Sequence, residues 1–284
     1  MKLVKPILFQ ARLAESAPAI TFSGGTASYG TMARMVEATV NAIDTLGLPR
    51  GTPVMIDVRN PVQYTALILA LALLGLPSAS IGSTFSVEAG GVLPGLFLVD
   101  RPDITLTGIA TQRVDDRCFM HDPARPVDYR RLLDMPSFNS PDDIVRYVYS
   151  SGTTGRPKCV AFTEAVLELR VANAMLTIIQ GGSGAGPHML GFSTIAGMMA
   201  LLATLPIGIM LCFASSNLEA LQMTRLFNVT MMVLAVVQLK GFLAALGDEP
   251  PPRSLQMLAV AGARVPPGLL RQPLARPCSN VVSQ

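Results

Sequence analysis

The stretch "YVYSSGTTGRPKCV", Tyr147–Val160, decides how this chain is read. Between Ser150 and Lys158 it packs two serines, two threonines, two glycines, a proline and a lysine, directly after an aromatic-rich apolar run. Two readings fit: a solvated turn between two elements, or a loop that wraps a phosphate chain. A triphosphate needs many short donors converging on its oxygens, together with positive charge. Glycine lets backbone N–H groups approach closely and turn inward, forming an anion nest. Ser150, Ser151, Thr153 and Thr154 add hydroxyls, Gly152 and Gly155 supply the turns, Pro157 stiffens the exit, and Lys158 offers a point charge. The spacing is not the GxxxxGK[ST] of the common nucleotide-hydrolase fold, because Lys158 is followed by Cys159 and the glycines are wrongly placed.

Working outward, the pattern is α/β. "PDDIVRYVYS" is a strand feeding the loop, with Ile144, Val145, Val148 and Tyr149 among its β-favouring residues. "CVAFTEAVLELRVANAMLTII" reads as a strand end followed by a long amphipathic helix. Upstream, Met32, Met35, Val36, Thr39, Val40 and Ile43 fall on one helix face, and Gly47 stops that helix. "PVMIDV" is a short buried strand. Asn60 caps a nearly all-apolar helix that starts at Pro61 and ends at Gly75, and "SASI" restarts a strand. Strand, helix, strand with short links predicts a βαβ unit in a largely parallel sheet buried on both faces. Between Val99 and Pro141 the pattern weakens into short strands and surface turns. Downstream, "FNVTMMVLAVV" and "SLQMLAVAG" are buried strands, with "QLKGFLAAL" a helix between them.

Composition narrows the function classes. Half of the 284 residues are apolar and 14% are charged, against roughly 25% charged in an average soluble protein. The formal charge of +3 comes with no basic run, so no nucleic acid partner is expected. Cys118, Cys159, Cys212 and Cys278 are scattered without a CxxC pair, which argues against a disulfide framework or a zinc site and suits a reducing cytoplasm. His121 beside Asp122 and Pro123, and His188 beside Pro187, sit in turn-like or local settings and make no metal site. The N-terminus lacks the long apolar region of a signal peptide. Thr65–Gly82 holds only about a dozen strongly apolar residues before Pro77, too few to span a bilayer. Ile195–Ala214 is uncharged, but Pro206 and Gly208 split it into a helix, a turn and a strand.

"YSSGTTGRPK", Tyr149–Lys158, resembles the signature of the adenylate-forming superfamily, which includes acyl-CoA synthetases, peptide-synthetase adenylation domains and luciferases. Other segments follow in family order, so the resemblance covers nearly the whole chain from Thr21. It implies an AMP-dependent ligase fold in its N-terminal part. In that family the loop clasps the pyrophosphate end of ATP, bound with Mg²⁺, while a carboxylate attacks the α-phosphate; a thiol of CoA or a carrier protein then takes the acyl group. "SLQMLAVAGARVPPGLL" resembles the segment bordering the adenine and so maps Gly262, Ala263 and Arg264 to adenine contacts. "FSTIAGMMALLATLPIGIMLCF" resembles the acyl-pocket stretch and maps Ser193, Thr194 and Gly197 to it; Ser193 and Thr194 stand where many relatives carry a guarding His or aromatic residue.

The resemblance stops at Gln284. The family's Tyr-Gly-x-Thr-Glu segment, its ribose-binding Asp, the rest of the large domain and the small lysine-bearing domain would all follow. The expectation is therefore a partial AMP-binding domain over residues 1–284, truncated and inactive alone, with no catalytic residue and no Mg²⁺-binding Glu of its own. The rival expectation is a non-catalytic nucleotide-binding or interaction lobe completed by a partner chain.

Overall fold

The computed structural model describes residues 2–80, 92–122, 124–150, 158–180, 186–188, 191, 194–261, 265–266 and 280–283. The chain divides into two units: Met1–Ala17, Ser28–Arg170 and Ser193–Ile195 form the first, and Pro18–Ala27, Val171–Phe192 and Ala196–Gln284 the second.

The first unit is built on a six-stranded sheet. Its strands are β3 (Val54–Asp57), β4 (Ser78–Ser80), β5 (Leu96–Val99), β6 (Thr111–Arg113), β7 (Ile144–Ser150) and β8 (Lys158–Thr163). They lie in the order β6-β5-β3-β4-β7-β8. All neighbouring pairs are parallel except β7 with β8, which are antiparallel. Met55 pairs with both Ala79 and Phe97 across the sheet, and with Val99 these side chains form one buried cluster.

Helices α1 (Val4–Leu13), α2 (Tyr29–Asp44), α3 (Pro61–Leu74) and α4 (Tyr129–Asp134) complete this unit, and the division between units falls within α5 (Glu164–Gln180). Ser28 caps α2, its Oγ accepting from Thr31 N at 3.1 Å. The face read from the sequence is the buried one, with Met32, Val36, Thr39, Val40 and Ile43 turned inward against α1 and α3. The βαβ reading also holds. Asn60 Oδ1 accepts from Val62 N at 2.9 Å, Pro61 opens α3, and Gly75 closes it in the left-handed region at φ 69°. Having no polar face, α3 is buried along its length except at Gln63 and Leu74.

His121 lies outside any helix or strand, as its turn-like setting implies, and is locally satisfied: the partly buried ring places Nε2 2.7 Å from Glu37 Oε2, and Asp128 N donates to the other carboxylate oxygen at 3.1 Å. A carboxylate inside α2's apolar face is tolerated because both oxygens meet partners.

The second unit holds a seven-stranded sheet of β1 (Pro18–Phe22), β2 (Gly25–Ser28), β9 (Gly186–His188), β10 (Leu211–Phe213), β11 (Met231–Ala235), β12 (Met257–Ala261) and β13 (Asn280–Ser283). Their order is β13-β12-β11-β9-β10-β1-β2. From β13 to β1 every pair is parallel. Ile195–Ala214 divides as read: α6 (Ile195–Thr204), a 3₁₀ turn at Leu205–Ile207, left-handed Gly208, and β10. The helices α7 (Asn217–Leu226) and α8 (Val236–Leu246) pack together, and α8 lies on β11 and β12 over a core of Met232, Leu234, Phe242, Leu258 and Val260. No helix among the described residues is long and apolar enough to cross a membrane.

Two stability predictions follow from these elements. A Cβ at Gly75 would stand 2.9 Å from the Ser137 carbonyl oxygen and 2.8 Å from Arg50 Nη2, at a φ that L-residues resist. Gly75→Ala is expected to cost about 2 kcal/mol, read as a lower urea midpoint. Burial pushes the Cys212 thiol up to about 12 and also raises the Tyr29 hydroxyl. The folded state then keeps protons that the unfolded chain has lost, so stability falls with pH in that window. The Cys212 contribution is intact below the ordinary thiol value of 9.0 and is lost as pH climbs towards about 12. Urea midpoints should be flat up to about pH 8 and fall above it, and Cys212→Ala should remove part of the fall.

Candidate functional site

The loop singled out by the sequence joins the two strands of an antiparallel hairpin. Its ends, Ser150 and Lys158, are direct partners across β7 and β8, followed down the ladder by Tyr149 with Cys159 and Tyr147 with Ala161. Residues 151–157, and with them Ser151, Gly152, Thr153, Thr154, Gly155 and Pro157, lie outside the described residues. Lys158 is exposed at the start of β8, which puts a cation at the hairpin mouth.

The body of the hairpin is held from both sides. Tyr147 and Tyr149 pack against the Met55, Ala79, Phe97 and Val99 cluster. At the far end, Asp143 Oδ2 accepts from Asn139 N at 2.8 Å and Ser140 N at 2.9 Å. These two bonds, Ser140 first, hold its carboxyl below the usual carboxylate range. Glu164 N donates to the Asp143 carbonyl at 3.0 Å, fixing where α5 begins. Burial pushes the Cys159 thiol up, an effect that the neighbouring Tyr149 hydroxyl partly offsets. This cysteine is therefore no activated nucleophile, although it adjoins the loop lysine.

The other candidates are placed less fully. Gly262, Ala263 and Arg264 lie outside the described residues, directly after β12 in the second unit. Ser193 also lies outside them. Thr194 is exposed ahead of α6, and Gly197 is buried within that helix. The backbone of His188 is paired in β9 with Phe213 and Val233. Among the described residues no group of three or more His, Cys, Asp or Glu could hold a metal ion.

Sequence reading passed over one residue near the loop. Arg146 on β7 is fully buried beneath α3 and bonded to hydroxyls of Tyr64, Ser78 and Ser80. The available signal was a cation at an inward position of an otherwise apolar strand.

The family model described as "AMP-binding enzyme" matches residues 99–284. No curated protein matches the chain. Among solved structures, o-succinylbenzoate CoA synthetase (MenE) from Bacillus subtilis, bound with a product analogue, is 18% identical at a TM-score of 0.78 and covers 94% of this chain and 55% of its own. VinN in complex with L-aspartate is 16% identical at 0.78, covering 99% of this chain and 74% of its own. The nonribosomal peptide synthetase FmoA3 is 20% identical at 0.79, covering 99% of this chain and 31% of its own. This chain thus spans about half the length of the CoA synthetase. The likenesses show the adenylate-forming fold, and the family match, which takes in the loop and extends over more than half of the sequence, shows that the chain belongs to the AMP-binding enzyme family.

Proposed function

We propose that the loop from Ser150 to Lys158 clasps the pyrophosphate end of ATP, in a protein that activates a carboxylic acid as its acyl-adenylate and passes the acyl group to a thiol. The observation that carries this reading is the full donor set of Ser150–Lys158, in a family of AMP-binding enzymes, on a hairpin whose loop ends are directly paired. In the reaction, a carboxylate oxygen attacks the α-phosphorus of ATP and pyrophosphate leaves. The thiol sulfur of CoA or of a carrier protein then displaces AMP and forms a thioester. The protein's share is positioning and charge neutralisation. Hydroxyls and backbone N–H groups of the loop bind phosphate oxygens, and Lys158 offsets their charge. Gly262, Ala263 and Arg264 border the adenine, and Ser193, Thr194 and Gly197 the acyl group. Mg²⁺ bound with the ATP would add charge neutralisation on the phosphates. Because the chain spans only part of its structural neighbours, the two-step reaction is proposed for the whole protein.

A second reading, an interaction lobe completed by a partner chain, is favoured by α5, where Val166, Leu169, Leu176 and Ile179 are exposed at helical spacing. Light scattering after gel filtration supports it if a defined complex forms and opposes it if the material is polydisperse.

Calorimetry with ATP and Mg²⁺ tests the main reading. The wild-type chain is expected to bind, and Thr153→Ala/Lys158→Ala to weaken binding at least about tenfold, roughly 1.4 kcal/mol. A well-folded wild type that binds no ATP, or a double variant that binds equally well, overturns it.

A further inference from the structure

β7 carries a residue for which the loop chemistry has no use. Arg146 heads the fully buried side chains by volume. A guanidinium stays protonated at any pH a protein meets, so enclosing it requires partners for its rigid fork of donors. Here Nη1 donates to Ser78 Oγ at 3.1 Å, while Nη2 donates to Ser80 Oγ at 2.7 Å and to the Tyr64 hydroxyl at 2.9 Å. Tyr64 and Ser80 also bond to each other. The three acceptors are themselves buried, the serines on β4 and Tyr64 on α3. One side chain on β7 therefore ties together two neighbouring parallel strands and the helix that covers them.

This tie selects a register. Arg146 stands opposite Ser78 and also reaches Ser80, two residues nearer the C-terminal end of β4. Side chains alternate faces along a strand, so a one-residue slip of β7 would turn Arg146 away from the hydroxyls and into the opposite face. That face holds Met55, Ala79, Phe97 and Val99, which offer no side-chain acceptor for a guanidinium. Purely apolar β7 and β4 would penalise the slip far less. Four residues beyond Arg146, β7 ends at Ser150, whose partner across the hairpin is Lys158. Fixing β7 along β4 thus fixes where both loop ends lie relative to β4.

We propose that Arg146 is a positioning residue for phosphate binding: through Ser78, Ser80 and Tyr64 it locks β7 in register and so sets where Ser150 and Lys158 stand. This rests on the phosphate-loop reading and adds to it a residue inside the sheet that touches no ligand. Arg146→Met keeps most of the side-chain length but removes the fork. Arg146→Lys keeps a cation and donors. Tyr64→Phe deletes one acceptor on a separate element.

The test measures ATP affinity with Mg²⁺ for these variants of the full chain, with melting curves alongside. Arg146→Met is expected to weaken ATP binding at least about tenfold, comparable to losing one charge-assisted hydrogen bond to phosphate. Arg146→Lys should recover only part of the lost affinity, because its ammonium can re-form some of the hydroxyl contacts without the fork. An Arg146→Met protein that binds ATP like wild type overturns the proposal. So does an Arg146→Lys protein as impaired as Arg146→Met, since the loss would then be one of packing alone. If Arg146→Met does not fold, Tyr64→Phe decides: several-fold weaker binding in a folded protein supports the tie, and unchanged binding overturns it. A folded wild type that binds no ATP overturns the loop reading itself, and the role of Arg146 falls with it.

Discussion

The pairing of β7 between β4 and β8 is the constraint on which the first unit depends. Tyr147 and Tyr149 enter the cluster of Met55, Ala79, Phe97 and Val99 on one face, while Arg146 meets Tyr64, Ser78 and Ser80 on the other. Neither face accepts the other's residues, so β7 has one register and β8 inherits it through the hairpin ladder. The positions of Ser150 and Lys158 are consequences of core packing, not of local turn preference. Loop ends placed this way take their positions from the sheet beneath them.

The same logic recurs where this sparsely charged chain buries a charge among the described residues. Glu37 sits in α2 among apolar neighbours, yet its carboxylate accepts from Asp128 N and lies against His121, tying α2 to the segment ahead of α4. Glu164, also buried, accepts from Lys2 N at 2.7 Å and so connects the start of α5 to the N-terminus. Each of these groups joins segments far apart in sequence. Apolar contacts stabilise without direction, whereas a buried polar group left unpartnered is costly, so such groups penalise near-miss arrangements that burial alone would accept.

Much of this was legible in the sequence because it is encoded locally. Asn60, Pro61 and Gly75 mark the ends of α3, the spacing from Met32 to Ile43 marks the buried face of α2, and Pro206 and Gly208 divide α6 from β10. The loop stood out because wrapping a phosphate chain would demand particular residue types in order, although its residues 151–157 lie outside the described residues. What escaped notice depends on distant partners. The strand at Pro18–Phe22 exists through its pairing with β10, where Ile20 meets Leu211. The helix at Val4–Leu13 is short and only partly apolar, and it is stabilised by docking on α2 and α4. The partners of Arg146 and His121 likewise required knowing which hydroxyls and which carboxylate would face them.

Fold and chemistry are written into this chain at different densities. Its architecture is shared with proteins only 16–20% identical, because a parallel sheet between helices asks for apolar residues in a pattern and accepts many substitutions that keep it. A site asks for identities: a hydroxyl in place of a methyl, a glycine where a Cβ would block close approach, a lysine at one end. The functional reading therefore rests on Ser150–Lys158 far more than on the likeness of fold. Arg146 lies between these extremes, since it occupies a core position yet is specified by donor geometry rather than by volume. A residue of that kind is how a tolerant core can hold an exacting loop in place.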